Sequence, residues 1–67
     1  MKPPPPREGT RLIRALIRRR GRDYVAKRIG VTEVAVRHWA DERRSPAARP
    51  RIALLKEFGI PIEAWDG

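Results

Sequence analysis

Residues 22–44 constrain the chain most. Apolar residues fall at Val25, Ala26, Ile29, Val31, Val36 and Trp39. Val25 and Ile29 are four apart and share one helix face. Gly30 follows at once, where a helix stops and the backbone turns left-handed at least cost. Thr32 can cap a second helix by accepting from an amide two or three residues on. Val36 and Trp39 are three apart and face back toward the first helix. The stretch therefore predicts two short helices, about 22–29 and 33–40, joined by a tight turn. The outer face of the second helix shows Glu33, Arg37 and His38.

Such a pair cannot fold alone, and the flanking segments supply its support. Leu12 with Leu16 and Ile13 with Ile17 form an apolar stripe, which predicts a helix capped by Thr10 and stopped by Gly21. A fourth helix is expected over about 50–58, because Pro50 is tolerated only in a first turn. Its apolar residues are Ile52, Leu54, Leu55 and Phe58, and Gly59 ends it. Pro61 then starts one short turn, with Ile60, Ile62 and Trp65 packed back on the core. Residues 1–9, with four prolines, are expected to be a disordered basic arm. Residues 10–67 form the domain.

Size and chemistry exclude much. Sixty-seven residues make one domain at most. A domain of this size buries only about 60% of the surface its unfolded chain exposes. There is no cysteine and one histidine, so neither a disulfide nor a thiolate or single-histidine zinc site is expected. No metal or cofactor is predicted. No paired carboxylates, nucleophile–base set or glycine-rich phosphate loop supports an enzyme. No apolar run approaches the roughly 18 residues of a membrane span. The expected location is cytoplasmic, nucleoid-associated when bound to DNA.

Charge points to a polyanion. The formal net charge is +8, and arginine supplies most of it. Its distribution is uneven. Residues 1–22 carry eight cations against one anion, residues 23–44 five against four, and residues 45–67 three against three. Guanidinium groups suit phosphate and guanine better than ammonium groups do.

Ala26, Gly30, Val36 and Trp39, with Arg43-Arg44-Ser45-Pro46 and the ending Leu54 to Phe58-Gly59-Ile60-Pro61, resemble the lambda-repressor/Cro (Xre-type) DNA-binding family over about residues 10–66. The resemblance implies an all-α, compact bundle of about five short helices around a central helix-turn-helix. It implies a sequence-specific regulator that binds double-stranded DNA, usually as a homodimer, with the helix over about 33–40 in the major groove. The family often has glutamine where Arg22 stands and glycine where Glu42 stands.

The residues expected to read bases are Glu33, Val34, Arg37 and His38. Arg37 can donate twice to guanine, and Glu33 can accept from cytosine N4. Val34 can meet a thymine methyl, and His38 can donate to a base or phosphate. The plain alternative for Arg37 is a phosphate contact or a solvated charge, for Glu33 it is dipole stabilisation, and for His38 it is an exposed or half-packed ring. Arg22, Thr32, Arg43 and Arg44 are expected at phosphates, with pairing of Arg43 and Arg44 to Asp41 and Glu42 as the alternative. Most of the arginines before Gly21 read as a solvated face, one or two of them within reach of phosphate. The rival function is a protein-interaction module, such as an antitoxin or adaptor, using the arm or residues 60–66. A dimer surface would come from the fourth helix or the tail, with Trp65 and Ile62 as its exposed apolar candidates.

Overall fold

The computed structural model describes residues 6–66. Among them are four α-helices and one 3₁₀ turn: α1 (Glu8–Arg20), α2 (Arg22–Ile29), α3 (Glu33–Ala40), α4 (Ala48–Phe58) and the turn Ile62–Trp65. The fold is all-α, with no strand among the described residues.

The junction between α2 and α3 forms as its residues dictate. Gly30 sits at φ 76° and ψ 37°, the left-handed region where a side chain is disfavoured. The Val31 amide reaches back to the Ala26 carbonyl at 2.9 Å, which closes the end of α2. Thr32 Oγ1 accepts from the Ala35 amide at 3.2 Å and caps α3.

The end of α3 is closed in a similar way, with a residue less suited to it. Glu42 adopts φ 59°, the only positive φ outside glycine among the described residues. Its amide donates to the Trp39 carbonyl at 3.3 Å, and the Arg43 amide donates to the His38 carbonyl at 2.9 Å. That pattern is a Schellman closure, whose left-handed position is usually glycine.

The first helix starts earlier than its capping pattern predicts. Thr10 is not a cap; it is buried within α1, which begins at Glu8 after Arg7. That first turn is packed by a distant residue. The Trp65 indole lies against Gly9, where a Cβ would come within 2.5 Å of Trp65 Cδ2. Only glycine admits this approach. Of the expected arm, residues 1–5 lie outside the described residues, Pro6 and Arg7 are half-buried, and Arg7 Nη1 donates to Ser45 Oγ at 3.0 Å.

The core consists of Ile13 from α1, Val25 and Ala26 from α2, Val36 and Trp39 from α3, Leu54 from α4, then Ile60, Ala64 and Trp65. Trp39 and Trp65 meet edge to face with centroids 6.4 Å apart, a pairing worth about 0.5–1.5 kcal/mol beyond burial. The indole Nε1 of Trp65 finds no acceptor among the described residues. Trp65 is 2% exposed and Ile62 38%, so of these two only Ile62 remains available to a partner.

Helix α4 begins at Ala48, slightly before the expected start, which places Pro50 third in the helix, where no backbone donor is required. Its buried residue is Leu54, while Ile52 and Leu55 are exposed and Phe58 is half-buried. Of the four apolar residues expected on this helix, only Leu54 is fully buried, and Phe58 packs against the core from its edge. Arg51 ties this region together, donating to the Pro46 carbonyl at 2.8 Å and to Asp66 Oδ1 at 3.1 Å.

Candidate nucleic-acid interface

Helix α3 presents its outer face through its own periodicity. Val36 and Trp39 are buried, so Glu33, Val34 and Arg37 must point outward, and all three are exposed. Val34 is 57% exposed, a high value for a β-branched apolar residue. His38 lies at the boundary and is half-buried. The predicted base-reading residues thus share one surface strip, with His38 along its side.

Three depressions surround that strip. A shallow one of about 190 Å³ lies between the start of α2 and the start of α3, lined by Arg22, Glu33, Val34 and Arg37. A second, of about 530 Å³, opens toward α1; four arginines line it (Arg14, Arg18, Arg22 and Arg37), with Ile17 and Ala40 as apolar wall and Asp41 at the rim. A third, of about 400 Å³, lies on the opposite flank and is lined in part by Thr32, Val34, His38, Arg44 and Ser45. Arg22 and Arg37 connect the first two depressions, and Val34 connects the first and third.

The residues predicted at phosphates divide accordingly. Arg22 lies on the α1 flank, and Thr32 and Arg44 lie on the other. Arg43 is exposed but lines none of the three depressions. The Thr32 hydroxyl already accepts the Ala35 amide, which leaves its hydrogen free to donate. The local alternative for Arg43 and Arg44 is not what forms: among the described residues neither side chain makes an ion pair with Asp41 or Glu42. Asp41 instead stands 4.0 Å from Arg37 Nε, one helical turn away and largely exposed. A pair so long and so wet holds Arg37 loosely and leaves its outer donors free.

The sequence named no individual arginine on α1. Arg14 Nε donates to the Ala40 carbonyl at 2.7 Å and fastens the end of α3 to α1. Arg18 lines the same depression one turn further on. The signal was present as the four-residue spacing of Arg14 and Arg18, which puts both on one helix face. What spacing alone lacked was the direction of that face relative to α3. Arg20 has a different task, with its guanidinium carbon 5.4 Å from the Tyr24 ring centroid.

Comparison with protein-family models, curated proteins and solved structures gave no match to the chain. The geometry and charge of the site therefore carry its interpretation. No helix of the described residues is long and apolar enough to cross a membrane.

Proposed function

We propose that this protein is a sequence-specific regulator that binds double-stranded DNA, with α3 in the major groove and no catalytic role. The observation that carries the reading is the outward strip of α3. Glu33, Val34 and Arg37 stand exposed between the cations Arg22 and Arg44. A major groove about 12 Å wide admits an α-helix, and its base edges call for this mix of donor, acceptor and methyl-contacting side chains. The flanking cations suit the phosphates on either side, which position the protein without reading sequence. The resemblance to the lambda-repressor/Cro family supports the same reading, and the left-handed Glu42 falls where that family often has glycine.

A homodimer belongs to the proposal, with its candidate surface on the fourth helix and the turn after it, where Ile62 stays a candidate and the buried Trp65 does not. Ile52, Leu55 and Ile62 are exposed apolar residues in the part of the chain whose charges balance. Ile52 and Ile62 line one depression of about 290 Å³ with Pro46, Ala47, Ala48 and Arg51. Two copies of a +8 protein would meet there with the least repulsion.

That patch is also the observation favouring the rival reading, an antitoxin-like or adaptor module that uses this surface for a different protein. Selection from a random duplex pool at physiological salt separates the two. Enrichment of an inverted repeat, with half-sites about one helical turn apart, is expected for a dimeric regulator. Enrichment of a single unrepeated site would remove the dimer. No enrichment, with binding indifferent to salt, would remove DNA as the ligand.

A further inference from the structure

One flank of α1 stays partly uncovered after the core is built. Leu12 and Leu16 pack against the core yet remain half-buried, and Phe58 at the end of α4 does the same. Between them runs a shallow, open groove of about 180 Å³, floored by Leu12, Leu16, Phe58 and Ile60, with the exposed Ala15 and Arg19 at its edge. The apolar surface continues past Phe58 to Tyr24, whose ring centroid lies 6.3 Å away and which is 40% exposed. No residue of this groove lines the depression beside α3, so the two flanks of α1 are separate surfaces.

Size, charge and ring placement narrow what can cover the groove. Its volume falls below the roughly 300–1,000 Å³ of a small-molecule site, which suits the anchoring side chains of a peptide better than a metabolite. Among the described residues, Arg19 makes no hydrogen bond or ion pair through its side chain, and no carboxylate lines the groove. Glu57, the residue before Phe58, is already paired with Arg28 at 2.7 Å. Arg20 lies over the Tyr24 ring, and a stacked guanidinium keeps its edge donors free. The uncovered apolar surface is thus bordered by two unneutralised cations. A second copy seated on the same patch would bring like arginines together, and residues 1–5 carry one cation and no acid, so neither is the complement. Single-stranded nucleic acid needs open aromatic faces for its bases, but Phe58 is half-buried and Arg20 lies over Tyr24.

We propose that this groove docks a short, acidic, amphipathic segment of another protein. Its apolar side chains seat over Leu12, Leu16 and Phe58, and its carboxylates meet Arg19 and Arg20. This is an amphipathic segment laid in an apolar groove, with tyrosine and arginine, residues enriched in interface hot spots, at one end. The inference is independent of what α3 binds.

The test is selection of a displayed library of random peptides on the full chain without DNA, followed by fluorescence anisotropy with the recovered peptide. The expected consensus has two large apolar residues three or four positions apart, with Asp or Glu beside them. Arg19→Glu should weaken that peptide about tenfold or more. Ala15→Glu, a carboxylate at an exposed edge position, should do the same. A peptide with each carboxylate replaced by lysine should bind Arg19→Glu better than the wild type. Ile62→Asp is the control, because Ile62 lines a different depression, and its affinity should be unchanged. Thermal melts followed by circular dichroism establish that each variant is folded, as expected for exposed side chains.

A library that yields no binder, or a consensus without carboxylates, would overturn the proposal. So would affinity indifferent to both Arg19→Glu and Ala15→Glu, or lost on Ile62→Asp, which would move docking to the α4 patch. Displacement of the peptide by oligo-dT, with oligo-dT binding itself dependent on Arg19, would make the groove a nucleic-acid surface instead. Because no duplex enters these measurements, failure of the DNA-binding reading would leave their outcome intact.

Discussion

The α1–α3 flank and the α4 side of the molecule use the same residue type for opposite purposes. On the α4 side, two arginines are matched: Arg28 Nε of α2 lies 2.7 Å from Glu57 Oε2, and Arg51 Nη1 lies 3.1 Å from Asp66 Oδ1. On the flank beside α3, Arg18 and Arg22 have no such partners among the described residues, and Arg37 has only a loose one. The difference lies in which acids stand nearby, since arginine is common to both. An arginine with a carboxylate in reach fastens two segments, whereas one without stores an unmet attraction for an anion. Stability is therefore expected to depend on the buried core and function on the arginine flank, with little crossover.

Several substitutions would break that division or sharpen it. The largest effect is expected at Trp65, which is buried and belongs to the core. Trp65→Ala should cost about 3–5 kcal/mol, a large share of the roughly 3–10 kcal/mol that a chain of this length commands. Urea denaturation should find the midpoint far below that of the wild type, and an unchanged midpoint would show that Trp65 matters less than its burial suggests. Gly9→Ala attacks the same contact from the other side, and overpacking should cost about 1–3 kcal/mol.

Arg37→Ala tests the opposite region. Binding to the selected site should weaken by about 1–3 kcal/mol with preference lost at one base pair, while the melting temperature hardly moves. A uniform loss across all sequences would make Arg37 a phosphate ligand instead.

Glu42→Gly carries the reverse sign. Relief of the left-handed strain at φ 59° should stabilise the fold by about 0.5–1 kcal/mol. A drop in melting temperature would mean that the Glu42 side chain contributes something beyond its backbone. The smallest effect is expected at Arg28→Ala, whose ion pair with Glu57 is exposed and worth about 0–1 kcal/mol, less at high salt. Duplex affinity should change less than for Arg18→Ala.

What was legible in the sequence was local. Gly30, Thr32 and Gly59 mark helix ends through rules spanning a few residues, and α2, α3 and the end of α4 fall where those rules put them. The outward strip of α3 followed from the inward pair Val36 and Trp39. What the sequence obscured was set by distant contacts. Thr10 has a capping residue's chemistry, but it lies buried inside α1, next to Gly9, on which Trp65 packs from 55 positions further along the chain. Leu54 and Leu55 are chemically identical, and only the packing of α4 selects Leu54 for the core. The arginines of α1 could be counted but not aimed, because their direction depends on where α1 crosses α3.

The contact of Trp65 with Gly9 has a topological consequence. It brings the first turn of α1 and the final turn of the fold side by side. A chain closed there by a short glycine–serine link could be cut open at an exposed loop elsewhere and keep all four helices in their places. The same closeness would let the whole domain be spliced into a surface loop of another protein, carrying its arginine flank with it as a transplantable unit.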